Sequence, residues 1–127
     1  MQTAGHVSGA AKLYQASDLG LDPTDKKLFP VCHHPVWGGW FALRGVVIFR
    51  GRGAELARRE PGGVLGSEEA RGLVRMYNND WKDWKGWREV GRKGERYSDL
   101  QMKYFETLPQ ERFQMIENMI RNPCPGV

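Results

Sequence analysis

Arg44 stands inside the run GGWFALRGVVIF, among Phe41, Leu43, Val46 and Val47. A guanidinium keeps its charge in a protein, and burying it unpaired is expensive. The flanking residues favour some burial, and three settings are open. Arg44 lies on an exposed strand face or pairs with an internal carboxylate such as Asp80 or Asp83, the ordinary case for a strand arginine. It grips an anionic ligand through paired hydrogen bonds. Or it meets nucleic-acid phosphate while Trp40 stacks on a base. A second cluster, WKDWKGWRE, spaces Trp81, Trp84 and Trp87 three apart and ends on Arg88. Such a triplet stacks on a flat ligand or, more commonly, packs a helix onto the body.

His6 offers a metal ligand or a polar pocket contact, though a lone histidine among small residues is more often structural. His33 and His34 are adjacent, so a strand would send them to opposite faces, a poor spacing for a shared metal. No H-E-x-x-H pattern accompanies them. Cys32 reads as a small buried residue rather than a nucleophile. Arg88, Arg96 and Arg112 are individually ordinary surface cations. The sequence has no P-loop, no G-x-G-x-x-G and no serine elbow. No residue is assigned as a catalytic acid, base or nucleophile, and no metal site is assigned.

These residues need elements to position them. His6 to Gln15, HVSGAAKLYQ, fits a strand by its period of two, but its small residues also permit a helix. Residues 18–30 form a polar connector. After the pair Gly38-Gly39, where a bulge or close backbone approach is expected, Trp40–Phe49 is rich in β-branched and aromatic types and reads as a strand. Residues 50–66 are basic and glycine-rich, a surface loop. Ser67 opens a helix to about Tyr77. Ser98 with Gln101 gives a capping-box pattern before LQMKYFE. Thr107, Pro109 and Gln110 open a last helix with an apolar stripe of Phe113, Ile116, Met119 and Ile120, ended at Asn122-Pro123.

The 127 residues allow one domain of modest size. Forty per cent are hydrophobic, and no apolar run approaches the ~20 residues that span a bilayer. The first residues lack a charged region followed by an apolar block, so no secretory signal is indicated. The two cysteines, Cys32 and Cys124, form no zinc spacing or disulfide framework, which fits a reducing, cytoplasmic setting. A net charge of +4 favours anionic partners. The charges are spread, however, and nucleic acid is not an expected partner, nor is a membrane.

The combination says more than its parts. HVSGAAKLYQ, VCHHPVWGGWFALRGVV, WKDWKGWRE and ERYSDLQMKYFETLPQERFQMI, in that order, closely resemble the C-terminal half of the CblC family, the cobalamin-processing proteins of methylmalonic aciduria and homocystinuria type C. The resemblance runs from about Gln2 to Ile120 and breaks in the 50–66 loop. It implies an α+β fold, an antiparallel sheet with flanking helices, forming the C-terminal half of a flavin nitroreductase-like fold. Residues 1–127 would be the C-terminal portion of a single cobalamin-processing domain whose N-terminal half is absent. The family binds cobalamin base-off and removes its upper axial ligand. Alkyl groups pass to glutathione, and cyanide leaves reductively with FMN or FAD. Cobalamin then passes to a trafficking protein of the type D class.

The same resemblance implies site residues. His6, Tyr14, Gln15, Trp40 and Leu43 would contact cobalamin, and Arg44, Arg88 and Arg112 would bind the carboxylates of glutathione. Lys12 and Leu13 stand where the family has tyrosines. Two functional classes follow: an alkylcobalamin dealkylase and cyanocobalamin reductase, or a module that binds cobalamin or the partner without turnover. A homodimer is a further possibility. A basic nucleic-acid binder is the weakest class, and it predicts steeply salt-dependent binding.

Overall fold

Residues 1–21, 27–47, 50–51, 53, 60–62, 65–80 and 82–122 are described by the structure, a computed structural model. Its contacts divide the chain into two units, Met1–Glu95 and Arg96–Val127.

The first unit opens with helix α1, Gln2–Val7. Ser8 Oγ donates to the Gly5 carbonyl at 3.0 Å, and Gly9, at φ 76°, turns the chain out of the helix. Strand β1, Lys12–Tyr14, follows and pairs antiparallel with β2, Val31–His33. The register sets Lys12 opposite His33, Leu13 opposite Cys32 and Tyr14 opposite Val31. HVSGAAKLYQ is therefore helix first and strand second. A two-stranded ladder is marginal alone. Helix α2, Ser67–Asn79, supports it by burying Ala70, Leu73 and Val74, an i, i+3, i+4 stripe. These three close the core with Tyr14, Leu21 and Val31. Leu73 and Val74 are fully buried, each contributing roughly 1.5–3 kcal/mol of hydrophobic stabilisation. Gly66, rather than Ser67, is the N-cap, and its N–H donates to Glu69 Oε2 at 3.3 Å.

The strand expected over Trp40–Phe49 is corrected in its described part. Residues 40–47 are irregular, and the second strand lies earlier, at Val31–His33. The reason is the ladder. A strand persists only where its N–H and C=O groups find a neighbour. Among the described residues, no backbone hydrogen bond joins 41–47 to another segment. Ile48 and Phe49 lie outside the described residues. In the 50–66 loop, the described residues form no helix or strand. The observed class is α+β, with a small two-stranded antiparallel sheet and helices.

Between β2 and the irregular segment, His34 and Gly38 exchange backbone hydrogen bonds of 2.8 and 3.0 Å, closing a tight loop. Gly38, at φ 58°, permits its left-handed corner. Helix α3, Gly86–Glu89, is a single turn started by Asp83, whose Oδ1 accepts from Gly86 N–H at 3.0 Å.

The second unit contains α4, Asp99–Glu106, and α5, Arg112–Arg121. Ser98 Oγ accepts from Gln101 N–H at 3.3 Å, as the capping pattern predicts. Thr107 does not open the last helix. Its hydroxyl donates back to Lys103 C=O at 2.8 Å and finishes α4, while a turn at Pro109–Glu111 leads into α5. Pro109 favours that short turn because its fixed φ suits a helix start and it needs no N–H partner there. Phe113 and Ile120 of the α5 stripe are exposed.

Candidate functional site

A cleft of about 660 Å³ opens in the first unit, within the range of small-molecule sites. Gly39, Phe41 and Leu43 from the irregular segment form one wall, and Trp84, Trp87 and Arg88 another. Val31 and Cys32 of β2, Gln2 of α1 and Tyr77 and Asn78 of α2 also line it. Arg88 is the one lysine or arginine among the described residues that line it.

Two glycines let these walls meet. A Cβ on Gly39 would lie 2.5 Å from Trp87 Cζ3 and 2.8 Å from Arg88 Cα, and one on Gly38 would lie 2.6 Å from the Arg88 carbonyl. Gly39 N–H donates to that carbonyl at 3.0 Å. This is the close backbone approach expected of the pair. Gly5 serves α1 in the same way, since a Cβ there would meet Leu43 Cδ1 at 2.8 Å.

The electrostatics centre on Arg88. Its guanidinium carbon sits 4.1 Å from the Trp87 ring centroid, 5.3 Å from Trp84 and 6.0 Å from Trp40. Nη1 donates to the Trp84 carbonyl. Ring faces stabilise a cation by about 0.5–2 kcal/mol each, more where water is excluded. Behind them Trp40, 4% exposed, meets Trp84 edge-on at 5.8 Å. Its Nε1–H donates to Glu89 Oε1 at 3.1 Å. Glu89 Oε2 accepts from Arg92 Nε at 2.5 Å.

The other predicted residues divide. Leu43 lines the cleft with Arg88. Arg44, the next residue along, is exposed and does not line it. His6 is half-buried on α1, and its Nδ1 is buried without a hydrogen-bond partner among the described residues. Tyr14 belongs to the core, where its hydroxyl accepts from Leu65 N–H at 2.7 Å and burial pushes its pKa up. Gln15 is exposed, its Nε2 3.5 Å from Asp18 Oδ2. Arg112 is in the second unit. Its guanidinium donates to the Tyr104, Thr107 and Phe105 carbonyls at 3.1, 3.0 and 3.4 Å, closing the end of α4. Trp81 and Cys124 lie outside the described residues.

Cys32 is buried, and burial raises its thiol pKa, which suits the structural reading. His33 is 1% exposed, its Nε2 2.8 Å from the Val90 carbonyl, while His34 sits nearer the surface. The described residues contain no group of three metal-ligating side chains, and no helix among them is long and apolar enough to cross a membrane. Sequence reasoning missed Gln2, Val31 and Tyr77 as cleft residues and Glu89 as the support of Trp40. Cross-strand neighbours and helix faces bring these together, which local sequence does not display.

The cleft is thus walled by tryptophans around one arginine, on a small α+β scaffold. The comparisons with known proteins go further. The model of the methylmalonic aciduria and homocystinuria type C family matches residues 1–116, so the chain belongs to this family. A Gallus gallus relative named cyanocobalamin reductase / alkylcobalamin dealkylase is 43% identical over 118 residues, 91% of this chain and 49% of that protein. The Homo sapiens protein of the same name is 40% identical, matching 91% of this chain and 42% of its own. A solved Caenorhabditis elegans structure, described as a B12-trafficking protein CblC, superposes with a TM-score of 0.77 at 33% identity. That match covers 97% of this chain and 50% of the other. The chain thus spans about half the length of the relatives it matches.

Proposed function

We propose that this chain acts in cobalamin processing, binding base-off cobalamin for removal of its upper axial ligand. The observation that carries the reading is the make-up of the cleft. Its two principal walls come from GGWFALRG and WKDWKGWRE, segments that carry the family resemblance. The orphaned Nδ1 of His6 supports a ligand contact on α1, since buried polar atoms usually find a partner. The family resemblance assigns cobalamin contacts to His6, Tyr14, Gln15, Trp40 and Leu43, of which Leu43 lines the cleft.

For alkylcobalamins, glutathione is the co-substrate. Its thiolate sulfur bonds to the alkyl carbon, the cobalt–carbon bond breaks, and the electron pair stays on cobalt. Cobalamin supplies that reactivity, and the chain supplies proximity and orientation. Arg88 holds a glutathione carboxylate at the cleft wall, and the family resemblance assigns glutathione binding to Arg44 and Arg112 as well. Reductive decyanation would need a reduced flavin. Arg88 is the only lysine or arginine among the described cleft-lining residues, so those residues offer a flavin phosphate a single cationic side chain.

The remaining parts of the reading extend the family resemblance: the chain would form the C-terminal portion of a nitroreductase-like domain, work in the cytoplasm and hand cobalamin to a type D trafficking protein. Pairing with a second copy of the chain is a separate expectation. A second reading is a binding module without turnover. Arg44's exposure and the engagement of Arg112 with α4 favour it.

The test is a visible-absorbance titration with methylcobalamin, using the chain and His6→Ala. The reading expects a shift to the base-off spectrum, weakened in the variant. No shift with the unaltered chain would refute it.

A further inference from the structure

We propose that Glu89 is a positioning residue for the anion-holding arginine of the cleft, acting through Trp40. The inference rests on the reading of Arg88 as a glutathione contact. Glu89 Oε1 accepts the Trp40 indole N–H at 3.1 Å, and Oε2 is held by Arg92 Nε at 2.5 Å. The carboxylate is therefore fixed at both oxygens and sets the rotation of a nearly fully buried indole. That indole packs edge-on against Trp84 at 5.8 Å and lies 6.0 Å from the Arg88 guanidinium carbon. Trp84 and Arg88 line the cleft, whereas Trp40 does not. Glu89 thus stands one layer behind the arginine and determines where its aromatic support sits.

The sign of the effect separates positioning from charge. Glu89 is an anion beside the site proposed to hold an anion. By Coulomb interaction alone, removing it would tighten glutathione binding. Positioning demands the opposite for a truncation. Glu89→Ala removes the oxygen that accepts the Trp40 N–H at 3.1 Å and so loosens the outermost of the three rings around Arg88. Glu89→Gln removes the charge but keeps an oxygen for Trp40. Alanine should weaken glutathione binding, and glutamine should leave it equal or tighter.

The experiment measures glutathione affinity by calorimetry on the full chain and on Arg88→Ala, Glu89→Ala, Glu89→Gln and Trp40→Phe, each first checked by its melting curve. Glu89→Ala should raise the dissociation constant about tenfold, the scale of one lost hydrogen bond. Glu89→Gln should stay within about threefold of the unaltered chain or bind more tightly. Trp40→Phe keeps a ring but removes the N–H donor, and should weaken binding in the same direction as Glu89→Ala. It carries the test if the alanine variant does not fold. If Arg88→Ala weakens binding while Glu89→Ala and Trp40→Phe do not, the positioning role is overturned and the arginine's role stands. If Arg88→Ala has no effect, or the unaltered chain does not bind glutathione, the parent reading fails and takes this inference with it.

Discussion

Replacing Gly39 with alanine adds one methyl group where two walls of the cleft touch. The new Cβ would sit 2.5 Å from Trp87 Cζ3, 2.7 Å from Arg88 Cγ and 2.8 Å from Arg88 Cα. The first two atoms belong to side chains, but the third is backbone, so α3 and the 38–40 segment must part. Overpacking of this kind costs about 1–3 kcal/mol. Parting also stretches the 3.0 Å hydrogen bond from Gly39 N–H to the Arg88 carbonyl, worth about 1 kcal/mol. Alanine returns about 0.4–1 kcal/mol by restricting the unfolded chain. The net expectation is a loss of about 1–3.5 kcal/mol. Urea denaturation followed by tryptophan fluorescence measures it, because all five tryptophans belong to the first unit. Gly45→Ala is the control, since nothing lies within 4 Å of its Cβ position and its φ is not positive. A Gly39→Ala midpoint equal to that of the unaltered chain would refute the close-approach argument.

Gly72 sits inside α2 with nothing within 4 Å of a built Cβ, so Gly72→Ala should stabilise the first unit by about 0.5–1 kcal/mol, read as a higher melting temperature. His33 should make stability fall in mild acid. Burial is the main cause of its lowered pKa, set against the raising effects of the Val90 carbonyl and Glu69. The unfolded chain therefore takes up the proton first. His33's contribution is complete above the ordinary histidine value of about 6.5 and is lost as pH falls from there toward the lowered folded pKa, at no more than about 1.4 kcal/mol per pH unit. Denaturation curves between pH 5 and 8 should show this slope, and His33→Leu should flatten it; an equal slope in both would count against the buried neutral imidazole.

Local patterns in the sequence predicted the helices best. The helix opening at Ser67 and the Ser98–Gln101 cap depend on contacts three or four residues apart, and both formed, the first with Gly66 rather than Ser67 as its N-cap. The glycine pair was legible for the same reason, because its consequence is a local loss of side chains. The strand over Trp40–Phe49 was misplaced because β composition states only that a segment suits a ladder. The pairing partner decides, and β1 pairs with Val31–His33 instead. Thr107 read as the opening of the last helix, but its hydroxyl bonds backward to the Lys103 carbonyl. The site was half legible. Leu43 and Arg88 meet in the cleft, and the tryptophans surround the arginine. Glu89 was invisible because its role depends on Trp40, 49 positions away in the chain. The hydrogen bonds by which Arg112 closes α4 were invisible for a similar reason, because they form only once the turn between the two helices is folded.

The most direct measurement is to load the chain with methylcobalamin, add glutathione under anaerobic conditions, and follow the alkyl–cobalt absorbance while assaying S-methylglutathione. The account predicts that the band decays with glutathione concentration and that thioether appears in equal amount, with Arg88→Ala losing most of the rate. A base-off spectrum that persists unchanged, with no thioether formed, would contradict the dealkylase reading and leave a cobalamin-binding module.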